Sequence, residues 1–201
     1  MLKSDKLLEN AFALRRMGWL SVIPLLPNSK ATDVDGWPGY GPNPPSDHQI
    51  ARWSVQYPTG GVGYVFGGAE KILGVDLDIL EPEIAYRAAA TVKRILGPTP
   101  LIRVGRDPKR VAIYRYLGDK GLPGKAFGNF ELFYKTGQLV FAGTHPETGQ
   151  PYRWIAGASP FDTRPEAAPK VTHDQILELI AALKVAAPVA NRPGPRVKLI
   201  S

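Results

Sequence analysis

The sequence predicts an α+β fold with an antiparallel component, and three patterns carry that expectation. Apolar residues recur at helical spacing in four separated stretches. Short β-rich runs lie between them, bounded by glycine and proline. Two pairs of those runs are joined by compact turn signals, Gly67-Gly68 and Thr136-Gly137, and the second pair reads as a hairpin.

The elements follow in order. Leu7, Leu8, Ala11 and Leu14 predict a helix over about residues 5–17, capped by Ser4 or Asp5 and ended by Gly18. Trp19 to Leu26 is an apolar run expected to form a buried strand. The stretch from Pro27 to Pro45 is crowded with Pro, Gly, Asn and Asp and contains Lys30 and Trp37. Loops of this length in compact domains are usually functional or mobile. Ser46 and Gln49 make a capping-box pattern for a helix whose Ile50, Trp53 and Tyr57 share a face. Strands are expected at Gly61–Phe66 and Lys71–Ile79. Glu81-Pro82-Glu83 then starts a helix, with proline near its first position and acids at the positive end of its dipole. Ile84, Ala88, Val92 and Ile95 form its buried stripe, and Gly97 closes it.

Leu101–Val104 and Val111–Leu117 read as strands around a basic loop. Asn129–Lys135 and Gln138–Ala142 read as the hairpin, and Tyr152–Ile155 as a further strand. Thr172 and Gln175 repeat the capping signal before a helix with Ile176, Leu177, Ile180 and Leu183 on its apolar face. Residues 1–187 are expected to form one domain, and residues 188–201 a basic tail or linker rich in Pro and Gly.

Composition narrows the class. The 201 residues are 44% hydrophobic and 21% charged, which excludes disorder over most of the chain. Cysteine is absent, so disulfides, thiolate metal sites and cysteine nucleophiles are excluded, and with three histidines no zinc site is expected. The 25 basic against 18 acidic residues leave a formal charge of +7, which favours polyanionic partners such as nucleic acid or nucleotides. No apolar run approaches the ~18 residues of a membrane span, and no signal peptide is apparent, so a cytoplasmic setting without membrane partners is expected.

Three features carry chemistry. In Val75-Asp76-Leu77-Asp78-Ile79, strand alternation puts Asp76 and Asp78 on one face and the apolar residues on the other. Two adjacent carboxylates repel unless they share a proton or a cation, and their oxygens suit Mg²⁺ or Mn²⁺. They equally suit a solvated strand end. Glu131 interrupts the aromatic run Phe130-Glu131-Leu132-Phe133-Tyr134, where it must face a cleft, pair with Lys135 or sit at an exposed edge. Arg103, Arg106, Lys109, Arg110 and Arg115 load one loop and its flanking strands with cations. Guanidinium and ammonium groups so placed suit phosphate binding, although a solvated loop has the same composition. His145 lies in the turn-rich Gly143-Thr144-His145-Pro146-Glu147-Thr148-Gly149. There is no P-loop, Ser-His-Asp pattern or defensible GxGxxG.

Taken in order, several segments resemble the N-terminal primase–polymerase (Prim-Pol) domain of the archaeo-eukaryotic primase superfamily, common in phage and plasmid replication proteins. They are Gly18-Trp19 to Pro24-Leu25, Asn28-Ser29-Lys30, Ile50-Ala51-Arg52-Trp53, Gly61 to Gly67, Gly74-Val75-Asp76-Leu77-Asp78, Arg103-Val104-Gly105-Arg106, Pro108-Lys109-Arg110, Tyr114-Arg115 and Gly143-Thr144-His145-Pro146 through Pro151-Tyr152-Arg153-Trp154. The resemblance implies a core with an RRM-like antiparallel sheet beside a smaller α/β lobe. It implies DNA-templated nucleotidyl transfer, as primase, DNA polymerase or both, on a single-stranded template with nucleoside triphosphates.

Asp76, Asp78 and Glu131 would be the metal-binding, catalytic acids, holding two Mg²⁺ or Mn²⁺ ions and no zinc. Arg103, Arg106, Lys109, Arg110, Arg115 and His145 would bind the nucleotide, and Lys30 and Arg153 the nucleic acid. A helicase domain or subunit is a possible companion, and the cell a bacterial host if the gene is of phage or plasmid origin. One departure stands out. Many members carry a histidine between the Asp pair and the third acid, and this chain has none between Asp78 and Glu131. Two other readings remain: a non-catalytic DNA-binding module for replication initiation, and a metal-dependent nuclease.

Overall fold

The computed structural model describes residues 7–122 and 126–186. The proposed caps Ser4 and Asp5 and the basic tail lie outside these described residues. The fold is α+β, as expected, and its elements stack around two sheets.

Helix α1 (Leu7–Arg16) and helix α2 (Asp47–Gln56) cover a small sheet made of β1 (Val22–Leu25), β2 (Gly61–Val65) and β8 (Gln138–Ala142), in the order β1-β2-β8. The second sheet runs β6 (Ala126–Phe127), β7 (Phe130–Phe133), β3 (Ile72–Leu77), β5 (Arg110–Tyr116), β4 (Ile102–Val104), β9 (Arg153–Trp154). A short β10 (Lys170–Val171), which the sequence does not announce, adds to β5 in parallel. Helices α3 (Pro82–Leu96) and α4 (His173–Ala186) pack together over the far face.

Strand alternation divides the core in two. Ile72, Val111 and Ile113 of the large sheet join the small sheet, α1 and α2 in one apolar cluster around the fully buried Trp19. Leu73, Val75, Leu77, Ala112, Tyr114 and Leu132 face the other way, into a cluster with α3 and α4. The caps behave as the sequence implies. Ser46 Oγ accepts from the Gln49 N–H at 3.2 Å. Thr172 and Gln175 form a reciprocal box, each side chain accepting from the other's N–H at 3.3 and 2.9 Å. In α4 the buried stripe is Ile176, Leu179, Ile180 and Leu183, whereas Leu177, expected inside, is 43% exposed.

The strand connections depart from expectation. Thr136-Gly137 does not close a hairpin, because β7 pairs with β3 and β6 while β8 pairs with β2 in the other sheet. Likewise the chain turning at Gly67-Gly68 leaves the small sheet for the large one, so β2 and β3 are not partners. Both turns are corners between sheets. They pass side by side: the Phe66 N–H donates to the Gly137 carbonyl at 3.1 Å. Gly67 has φ 102°, and a Cβ there would lie 2.7 Å from the Lys135 carbonyl oxygen, so glycine is required. No described helix is long and apolar enough to cross a membrane.

Candidate active site

The site grows from register. Asp76 in β3 stands opposite Glu131 in β7 on one side and opposite Val111 in β5 on the other, and Val111 stands opposite Arg103 in β4. Directly paired residues share a face, so a row Glu131–Asp76–Val111–Arg103 crosses four strands on the side that faces the small sheet. Neighbouring strands are about 4.8 Å apart, so the two acids are close neighbours, with Arg103 two strands beyond Asp76. Asp78 lies one residue past β3, its N–H donating to the Asn129 carbonyl at 2.8 Å. Its exposed carboxylate takes Lys109 Nζ at 2.5 Å.

Charge is concentrated here. Burial pushes the Asp76 carboxyl up to about 6, Arg103 opposes the rise, the Asp78 and Glu131 charges add to it, and Lys30 opposes it again. Arg103 is 8% exposed. Its Nη1 donates to the Val140 carbonyl at 2.9 Å and its guanidinium lies 4.5 Å from the centroid of the Tyr152 ring. Arg103 Nε and the Tyr152 hydroxyl are buried without a hydrogen-bond partner among the described residues. Burial also pulls the arginine down from its ordinary value.

His145 is buried against Tyr152, with ring centroids 5.3 Å apart, and its Nδ1 accepts from the Glu147 N–H at 3.2 Å. Burial lowers its pKa, and the cations Lys30, Arg103 and Arg106 lower it further against the pull of Glu147. A neutral ring with Nδ1 accepting carries its proton on Nε2. Gly105 lets both rings close over the backbone. A Cβ there would lie 2.3 Å from the Tyr152 ring and 2.6 Å from the His145 ring. At the rim, Arg106 forms an ion pair with Glu147, and that hydrogen bond holds the exposed glutamate below the usual carboxylate range.

The structure therefore brings together Asp76, Asp78, Glu131, Arg103, Lys109, His145 and Lys30, with Arg106 at the edge. Lys30 reaches this group from the loop after β1, close enough for its charge to act on Asp76, His145 and Glu147. Three expected residues stand elsewhere. Arg110 alternates to the opposite face, where its guanidinium lies 5.1 Å from the ring centroid of Tyr86 on α3. Arg115 sits at the far end of β5, opposite Ile72, with Nη1 3.4 Å from the Glu166 carbonyl it donates to. Arg153 is exposed on the edge strand β9, opposite Val104 and on the face away from Asp76. Tyr152 belongs to the group without having been singled out. The Pro-Tyr-Arg-Trp segment marked its neighbourhood, but nothing in the sequence places its ring under Arg103.

Carboxylate oxygens are the donors a hard cation takes. Asp76 and Glu131 pair across strands and Asp78 follows two residues on, while burial first, and then the Asp78 and Glu131 charges, hold the Asp76 carboxyl up against Arg103 and Lys30. Among the described residues, no three His, Asp or Glu side chains stand close enough to hold a metal ion as a ready-made group. Lys109 instead supplies the positive charge beside Asp78.

The fold is an α+β domain with carboxylates and a buried arginine on one sheet face. The chain belongs to the bifunctional DNA primase/polymerase N-terminal family, whose model matches residues 11–171. The family is of the DNA primase/polymerase type of nucleotidyltransferase, which works on a DNA template with nucleotide substrates. No curated protein sequence matches the chain.

Proposed function

We propose that the acid-bearing face of the large sheet carries out template-directed nucleotidyl transfer, with Asp76, Asp78 and Glu131 as the catalytic and metal-holding acids. The register pair Asp76–Glu131, with Asp78 two residues further, carries this reading. These acids would hold two Mg²⁺ or Mn²⁺ ions, which when bound activate the attacking hydroxyl and neutralise the leaving pyrophosphate. Asp76 must be ionised to take part, and close cations favour that form.

Arg103 lies in a nearly dry setting, where its charge acts strongly on phosphate oxygens. Its unpartnered Nε and the Tyr152 hydroxyl supply donors beside Asp76. His145 offers Nε2–H as a neutral donor, and Lys30 adds a further cation. Lys109 neutralises Asp78 in the empty cleft and is free to turn to the triphosphate once a divalent ion takes its place. Arg103, Lys109 and His145 together fill the part of the histidine missing between Asp78 and Glu131. Arg110 and Arg115 take no part, standing on the other face and at the far end. Template strand runs along the basic rim that includes Lys30 and Arg106, with binding that weakens steeply in salt. A helicase companion would engage other surfaces.

The test is incorporation of labelled nucleotides on a single-stranded template, with and without primer, in Mg²⁺ or Mn²⁺, against Asp76→Ala. Extension lost in the variant supports the reading. Cleavage of the template instead of extension identifies a nuclease, and DNA binding with neither identifies a non-catalytic module.

A further inference from the structure

The face of the large sheet opposite the acids carries a second feature. Between the C-terminal half of α3 and the β5–β4 edge lies an open cavity of about 360 Å³. Its origin is in the sequence: α3 contributes Ala89 and Ala90 and β5 contributes Ala112, so helix and sheet meet through small side chains and leave space. Leu77, Val92, Ile102 and Tyr114 make the rest of its floor apolar. The charged residues lining it are Lys93 and Arg110, both positive; Arg110 also stands 3.8 Å from the exposed Asp107 carboxylate, while Lys93 forms no ion pair among the described residues.

The rim exposes apolar surface that the fold does not cover. Tyr86 is 52% exposed, and Arg110 braces its ring. Ile155 is 45% exposed and its N–H donates to the Ile102 carbonyl at 2.9 Å, beside the cavity-lining Ala156. Arg153 is exposed on β9, opposite Val104, on the sheet face that Arg110 also takes. The volume suits one or two bulky side chains, and the rim suits carboxylates.

We propose that this cavity is a docking site for an acidic peptide segment of a partner protein, one that inserts a bulky apolar side chain between α3 and β4 and sets its carboxylates on Lys93 and Arg110. A nucleic-acid occupant fits less well. The apolar floor offers few groups to read base edges, and the cations do not form a track along a backbone. The site is separate from the acid cleft, since Arg110 and Ala112 alternate away from Asp76 across the sheet.

The experiment uses the full chain and a fluorescein-labelled peptide, Asp-Asp-Asp-Leu-Pro-Phe, followed by fluorescence anisotropy. Its controls are a Lys-for-Asp version, an Ala-for-Phe version and labelled oligo(dT). The acidic peptide should bind, with both control peptides at least about tenfold weaker, and with affinity falling as NaCl rises from about 50 to about 500 mM. Lys93→Glu, on the exposed side of α3, and Ala89→Leu, which fills the cavity, should each weaken it about tenfold. Both variants should keep the wild-type melting temperature and primer extension. Equal binding of the Lys-for-Asp peptide, affinity untouched by both substitutions, or displacement of the peptide by oligo(dT) at stoichiometric levels would overturn the proposal. Loss of extension in Asp76→Ala bears on the cleft alone and leaves this test standing.

Discussion

Asp76 and Glu131 face each other directly across the β3–β7 ladder, although 55 positions separate them in the chain. Like charges directly opposite are destabilising unless something positive intervenes. Much of the behaviour of the cleft follows from that pairing and from the two nearby cations, Arg103 and Lys109.

Asp76 is expected to cost the metal-free protein stability. Burial raises its carboxyl to about 6, net of the opposing Arg103 and the reinforcing Asp78 and Glu131, against about 4 in an unfolded chain. The folded state therefore binds this proton more tightly. Its contribution favours folding at low pH and is lost as pH rises from about 4 through about 6. Asp76→Asn removes that loss, by about 3 kcal/mol, and should melt several degrees higher than wild type at neutral pH without divalent ions. The gap should close near pH 4. Calorimetry at the two pH values checks it, and equal melting temperatures at neutral pH refute it.

Divalent ions should close most of that gap. At about a hundredfold over the dissociation constant, Mn²⁺ is expected to stabilise wild type by about 2.7 kcal/mol. Asp76→Asn should respond weakly, and Glu131→Gln less than wild type. A thermal shift of the same size in all three proteins would remove these residues from the metal site.

Lys109 and Arg110 are adjacent in sequence and should differ sharply in effect. Lys109 contacts Asp78, whereas Arg110 stands over Tyr86 on the other face. Lys109→Ala should raise the KM for nucleoside triphosphate about tenfold, while Arg110→Ala leaves it unchanged. Steady-state extension kinetics distinguishes them, and equal losses in both would contradict the placement.

Gly105→Ala should disturb the cleft without touching a charge. The added methyl meets the rings of Tyr152 and His145 at 2.3 and 2.6 Å, and both rings are buried. We expect about 1–3 kcal/mol of destabilisation from overpacking and a raised KM as Arg103 loses its platform. Unchanged stability and kinetics would show that the rings move aside freely.

Much of this was legible in the sequence, for identifiable reasons. Helices α2 and α4 announce themselves because Ser46 and Thr172 cap them through local bonds. Asp76 and Asp78 mark a shared face because strand period alone sets it. Legibility fails where the answer lies in a distant partner. Thr136-Gly137 has the chemistry of a hairpin turn, but whether it closes one depends on β7 being already occupied by β3 and β6. The five cations from Arg103 to Arg115 look like one cluster, yet one residue of offset from Val111 sends Arg110 through the sheet, and five residues further Arg115 lies at the strand's other end. Leu177 and Leu179 are equally apolar, and the contact with α3 selects the second.

The adjoining corners at Gly67 and Gly137 have a consequence for how the chain is made. Because neither corner is a hairpin, Val62 must wait for Ala142 and Gly74 for Phe133 before their ladders can close. Local pairing joins β6 to β7 and β4 to β5, but closing the two sheets should be governed by long-range encounters and be slow for a domain of this size. On the ribosome, Asp76 and Asp78 would emerge well before β8, leaving one edge of β2 unpaired until β8 has left the tunnel.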